Sequence, residues 1–182
     1  MPTTITGTDG VSQVQDGAVT ASDLTSTLDL SGKAVTLPAG VGGKVLQVVQ
    51  STTDTQVVIS AGSGFTDTTL NASITPSNAS NKVLIITNQL GTFEDSTTAD
   101  GDAITQLVRN STSIYINRQR HKSTSTSTEY QGITYSVCYL DSPNTTSAVT
   151  YKTQVSPITG DAYLQHGGAP YSSSMILMEI AG

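Results

Sequence analysis

From residue 44 to the end of the chain, apolar residues either alternate with polar ones or gather in short runs. Clusters of Gly, Pro, Asn, Asp and Ser interrupt them at a spacing of roughly 10 to 15 residues, which is the punctuation of short strands. Thr69–Thr75 sets Leu70, Ala72 and Ile74 against polar neighbours, a period of two that predicts a strand with one wet face. Lys82–Thr87 is continuously apolar and predicts a strand covered on both faces. Lys44–Gln50, Gln56–Ser60, Ala103–Arg109, Ser113–Asn117, Ile133–Leu140, Ser147–Val155 and Ala162–Gln165 add further strands. Ser172–Gly182 carries Met175, Ile176, Leu177, Met178 and Ile180, too much apolar surface to leave in water, and predicts a central strand. Polar loops are expected at 91–102 and 118–132. About ten short strands with no crossover helix predict an all-β fold, an antiparallel β-sandwich of jelly-roll type.

Residues 1 to 43 follow a different pattern. Ile5, Val11, Val14, Val19, Leu24, Leu28 and Leu30 stand singly among small polar residues and glycines, so the segment cannot bury its own apolar side chains. It reads as an extended N-terminal arm that packs on another chain or on the sandwich, with the domain proper at residues 44–182.

Composition narrows the class. Ser and Thr supply 53 of the 182 residues and charged types only 12%, so solvation rests on hydroxyls. A net charge of −6 opposes nucleic acid as a partner, since phosphates need a basic face. No run of 18 or more apolar residues occurs and the first residues have neither a basic nor an apolar leader segment, so a soluble protein made in the cytoplasm, without membrane insertion, is expected. The single Cys138 forms no intrachain disulfide and, between Val137 and Tyr139, reads as a small buried hydrophobe.

Candidate chemistry is sparse. Four of the eight basic side chains fall between Arg109 and Lys122. Arg118, Arg120, His121 and Lys122, with Tyr115 and Tyr130 nearby, could bind anionic groups of a surface polysaccharide while the tyrosines stack on sugar faces. A solvated hairpin in an acidic protein accounts for the same residues. Asp100 and Asp102 in the acidic loop offer the oxygens calcium prefers, but their spacing is not that of an EF-hand, and no metal or other cofactor is expected. His121 and His166 belong to no metal motif. GxSxG and a phosphate loop are absent, and the strand-borne acids Asp141 and Glu179 show no evident partner, so no enzyme is expected.

Several segments together resemble small virion appendage proteins of tailed bacteriophages, marine and cyanophage-like ones in particular. The carrying residues are Gly43–Gln50, Leu70–Leu84, Leu140–Lys152 and Met175–Gly182, while Gln15–Leu24 and Leu28–Pro38 are similar to segments that recur in tail-fibre proteins. The resemblance implies a homotrimeric β-sandwich on the virion surface. Its arm, through Ile5, Val11, Val14, Val19, Leu24, Leu28 and Leu30, would attach to capsid or tail proteins, and its distal loops would face host cell-surface polysaccharide. A short fibre or receptor-binding appendage is the first expectation and a capsid decoration protein cementing the head the alternative. A glycan-degrading tail enzyme comes last.

Overall fold

The computed structural model describes residues 45–95, 101–121 and 129–182. The arm residues named above lie outside this range, as do Asp100 and Lys122. Ten strands make up the described domain: β1 (Val45–Thr53), β2 (Val57–Ile59), β3 (Thr66–Ile74), β4 (Lys82–Asp95), β5 (Gly101–Arg109), β6 (Thr112–His121), β7 (Glu129–Asp141), β8 (Val149–Thr159), β9 (Asp161–Leu164) and β10 (Ser173–Ile180).

All pairings are antiparallel. One sheet runs β3-β8-β5-β6. In the other, β7 takes one edge of the long β4, and the opposite edge is shared by β10 at Lys82–Asn88 and β9 at Gly91–Glu94. β1 continues the sheet beyond β10, and β2 beyond β9. The strand orders β1-β10-β4-β7 and β3-β8-β5-β6 are those of a jelly roll, and the β2–β9 pair is added at one end. "Lower" below means the half of the β4–β7–β10 sheet near Lys82 and Ile180, and "upper" the half near Glu94.

Alternation sorts the side chains between the sheets. β10 buries Ser173, Met175, Leu177 and Glu179 and half-exposes the residues between them. The lower core joins Leu70, Ile74, Ile85, Leu107, Tyr151 and Leu177, and the upper core joins Ile59, Phe93, Ala103, Tyr135, Val155 and Leu164. Terminal residues Ser172–Gly182 therefore do form a central strand, between β1 and β4.

Three sequence expectations need correction. Gly91–Asp95, Arg118–His121 and Glu129–Gly132 are strand rather than loop, because β4 and β7 stay paired for their whole length and β5 and β6 pair out to His121. Cys138 is exposed, since it sits on the outward parity of β7, between the inward Val137 and Tyr139. The acids Asp141 and Glu179 are both buried and both partnered. Asp141 accepts from Arg109 Nη1 at 3.0 Å to each oxygen and from the Tyr151 hydroxyl at 2.7 Å, a contact that ties the two sheets. Burial and that bond push the Tyr151 hydroxyl well above the usual tyrosine range. Glu179 accepts from Gln47 Nε2 (2.6 Å), the Ser77 amide (2.6 Å), the Ser77 hydroxyl (2.7 Å) and Asn81 Nδ2 (2.6 Å).

Candidate functional site: an aromatic cleft on the outer sheet face

The loop between β9 and β10 builds the site. Gln165 is buried in the left-handed region at φ 50°, where its amide N–H donates to the Leu90 carbonyl at 3.0 Å and its Nε2 to the Ser173 hydroxyl at 2.6 Å. That anchor forces the chain outward over β4. Gly167 and Gly168, at φ 91° and 64°, then reverse it, the Gly168 N–H donating to the Gln165 carbonyl and the Tyr171 N–H to the Gly168 carbonyl. The Gly167 N–H is held from the side by Gln56 Oε1 at 3.0 Å. A loop tied at so many points presents His166 and Tyr171 from a fixed frame.

Register brings the other rings to the same place. Thr92 of β4 lies opposite Tyr163 of β9 and Gly132 of β7, and Glu94 lies opposite Tyr130 and Asp161. Residues directly opposite share a face, so the five side chains point out of the sheet, with Gly132 on the same face. His166 Nδ1 and Thr92 Oγ1 share a hydrogen bond at 3.0 Å. The His166 ring lies 4.9 Å from Tyr130 and 5.1 Å from Tyr163, and the two tyrosine rings meet edge to face at 5.6 Å. The Tyr163 hydroxyl donates to Glu94 Oε2, and this bond, with burial, pushes it up to about 12.

Beside the rings is a cleft of about 230 Å³ lined by Leu90, Gly91, Thr92, His166 and Tyr171. A second hollow of about 240 Å³ is lined by Ala61, Glu94, Gly160 and Asp161. Tyr130 and Tyr171 are 51% and 57% exposed, so their faces remain open to a ligand. Gly132 leaves open space above the sheet next to Thr92. The assembly combines exposed ring faces, an imidazole, a hydroxyl and two carboxylates on a rigid sheet. Aromatic faces pack against the C–H faces of pyranose rings, and carboxylates accept from sugar hydroxyls. A larger hollow of about 310 Å³ on the other sheet contains the Lys152–Asp67 ion pair and offers no aromatic face.

The residues singled out in the sequence do not converge. Tyr130 joins the cleft. Arg118 and Arg120 stand on the outer face of the opposite sheet, where both close on Asp102: Arg118 donates through Nε at 2.8 Å and through Nη2, and Arg120 through Nε at 3.3 Å. Those guanidinium bonds, Arg118 first, hold the Asp102 carboxyl below the usual range against the opposing effect of its burial. Asp102 is thus committed to two cations of its own chain rather than to calcium. Among the described residues no group of three or more His, Cys, Asp or Glu could hold a metal. Tyr115 packs against Tyr139 at 5.7 Å, beside the lower core, and the side chain of His121 lies outside the described residues. Tyr163 was not singled out in the sequence, and His166 was weighed there only as a metal ligand and Glu94 only as one of the acids of a loop, not as members of a cleft. The alternation of Asp161-Ala-Tyr-Leu164, with Tyr163 on the wet parity, was the available signal.

No protein-family model and no curated protein sequence matches the chain. Among solved structures it is similar to the Eiger TNF of S. frugiperda, at 11% identity and a TM-score of 0.44, over 74% of this chain and 93% of that one. It is also similar to VP2 of infectious bursal disease virus in a subviral particle, at 14% identity and a TM-score of 0.37, over 82% of this chain and 37% of that one. The Gx strain of the same virus matches at 13% identity and a TM-score of 0.37, over 82% of this chain and 42% of that one. The chain thus spans about two fifths of the viral chains it matches. At this level of likeness it is the strand order that assigns the fold.

Proposed function

We propose that the chain is a non-enzymatic structural protein of a virion, a short fibre or receptor-binding appendage of a tailed bacteriophage, and that its outer-face cleft binds host-surface glycan. The arm at residues 1–43 attaches it to the particle. The observation that carries the glycan reading is the convergence of Tyr130, Tyr163 and His166, with Tyr171 across the cleft, on one sheet face. Glu94 and Asp161 at the rim turn the ligand class away from the anionic polysaccharide that the basic residues suggested and toward neutral or amino sugars, because two carboxylates repel an anion and accept from hydroxyls or an ammonium. Each carboxylate already accepts from its own chain, Glu94 from Tyr163 and Asp161 from the Ala61 N–H at 2.9 Å, an arrangement that holds the groups in place rather than freeing one as a nucleophile.

Gly132→Leu tests this without touching the rings. The position is exposed, its added Cβ meets nothing within 4 Å, and its backbone needs no left-handed conformation. On an array of bacterial surface glycans, the wild type is expected to select neutral or amino sugars. Gly132→Leu should weaken that binding at least ~10-fold, worth about 1.4 kcal/mol, at unchanged thermal midpoint. The pair Arg118→Ser and Arg120→Ser should bind normally. Selection of acidic glycans, lost with the arginines and kept by Gly132→Leu, would reverse the assignment.

A further inference from the structure

Inside the sandwich a polar layer separates the two apolar cores. On the inward face of β4, Thr87 and Gln89 stand between Ile85 of the lower core and Phe93 of the upper. Tyr135 of β7 lies directly opposite Gln89, and Ser173 of β10 adjoins it, because the next residue, Ser174, pairs with Asn88. On the facing sheet, Thr105 takes the place between Ala103 of the upper core and Leu107 of the lower. Gln165 reaches the same layer from the β9–β10 loop through its bond to Ser173. Gln89 and Gln165 are 0% exposed, and Thr105 and Tyr135 2% each.

Polar groups at this depth need hydrogen-bond partners. Some members of the layer have them: the Thr87 hydroxyl accepts from the Val137 N–H at 3.1 Å, and the Ser173 hydroxyl accepts from the Leu90 N–H at 2.9 Å as well as from Gln165. Gln89 Oε1 and Nε2, Thr105 Oγ1, the Tyr135 hydroxyl and Gln165 Oε1 find no partner among the described residues. Desolvating all of them unpaired would offset a large part of a domain's net stability. Their chemistry identifies what pairs them. Gln89 offers a donor and an acceptor, the two hydroxyls offer both, Gln165 offers an acceptor, and none is charged. Burial pushes the Tyr135 hydroxyl well above the usual tyrosine range, so it keeps its proton. A metal cation would leave Gln89 Nε2 stranded, and an anion would face two carbonyl oxygens. Water, which donates and accepts, suits the whole set.

We propose that this layer is an internal water-binding site, in which a small cluster of ordered waters bridges Gln89, Tyr135 and Gln165 to Thr105 of the facing sheet. The cluster is also the inner footing of the cleft. Gln165 turns the chain outward at φ 50° and carries the loop of His166, and the waters hold its side-chain carbonyl from within. The proposal stands on the interior alone and is independent of what the cleft binds.

Water-to-protein NOEs on the full-length protein, together with magnetic relaxation dispersion of the solvent water, test it. The wild type is expected to show NOEs from long-lived water to the Gln89 side-chain amide and to the Thr105 methyl group. The Gln89→Leu, Thr105→Val double variant replaces polar groups by apolar ones of similar volume and should fold. It should lose those NOEs and most of the dispersion amplitude, and its Gln165 backbone amide should exchange with solvent at least ~10-fold faster. A wild type without these NOEs would overturn the proposal, leaving Gln89, Tyr135 and Thr105 to bond one another directly. A double variant that loses the water yet keeps the Gln165 exchange rate would overturn the footing of the cleft. The wild-type measurement decides the water site even if the double variant fails to fold.

Discussion

Glu179→Ala is expected to lower the thermal midpoint by about 10 °C, the largest effect of any single substitution considered, although Glu179 touches no part of the cleft. The carboxylate is 1% exposed and gathers four donors from three residues on two separate segments: Gln47 of β1, and Ser77 and Asn81 of the β3–β4 turn. Asn81 in turn accepts from the Gly182 N–H at 3.1 Å, so the same network fastens the residues after β10. Truncation to Ala leaves these donors facing a void, at roughly 1–3 kcal/mol for each buried group that finds no new acceptor, and about 3–4 kcal/mol in all is expected. Burial by itself would raise this carboxyl, but the bonds from Asn81, Gln47 and Ser77 outweigh it and hold it at about 2, down from 4.5. A folded-state value below the unfolded one stabilises the fold above about pH 4.5. That contribution is lost as the pH falls from 4.5 toward 2. Glu179→Gln keeps an oxygen for Ser77 and Asn81 and loses only the bond from Gln47, whose Nε2 keeps the Thr75 carbonyl as acceptor at 2.7 Å. This variant should therefore fold, lose less stability than the Ala variant and show a flatter acid limb. Chemical denaturation of the three proteins between pH 2 and 6 checks both statements. An acid limb identical in wild type and Glu179→Gln would show that the network does not hold the proton off.

Asp141→Ala should cost about 2–4 kcal/mol, and the loss should be recovered in large part by removing its partner as well. Arg109 and Tyr151 reach Asp141 from the opposite sheet, so truncation leaves a fully buried hydroxyl and a guanidinium that is 28% exposed with fewer acceptors. Arg109 retains the Ser142 carbonyl at 3.2 Å, which keeps the cost below that of a wholly stranded charge. Tyr151→Phe removes one hydrogen bond and should cost about 1–2 kcal/mol. Asp141→Leu combined with Arg109→Met replaces the ion pair by apolar volume and should lie closer to wild type than Asp141→Ala. A double variant less stable than the sum of its singles would mean that the pair supports the sandwich in some way other than mutual charge compensation.

The architecture was legible because it rests on parity. All ten strands and their order along the chain follow from alternation and turn residues, since a buried face every second residue leaves a mark that needs no partner to be read. Strand ends were not legible. Arg118–His121 and Glu129–Gly132 are composed like a loop, and their strand state comes from neighbours β5 and β4, which hold them in register. The partners of Glu179 lie 98 to 132 residues away in sequence, a separation at which one-dimensional pattern says nothing. The cleft was partly visible. Tyr130 stood out as an aromatic near basic residues, but the arginines beside it in sequence lie on the other sheet, and Tyr163 and His166 reach Tyr130 only through β4, which pairs with both β7 and β9. Parity also explains Cys138, whose apolar neighbours suggested burial although it occupies the outward position between two inward ones.

The upper half of the outer face of the β4 sheet is thus assigned to a sugar. The upper assignment is tested most directly by amide and side-chain NMR of the protein titrated with the neutral or amino-sugar oligosaccharide that it selects on the array. Shifts concentrated at Tyr130, Thr92, Tyr163, His166 and Tyr171, with Arg118 and Arg120 unmoved, are the predicted result. Shifts centred on Arg118 and Arg120, with the cleft silent, would contradict the account.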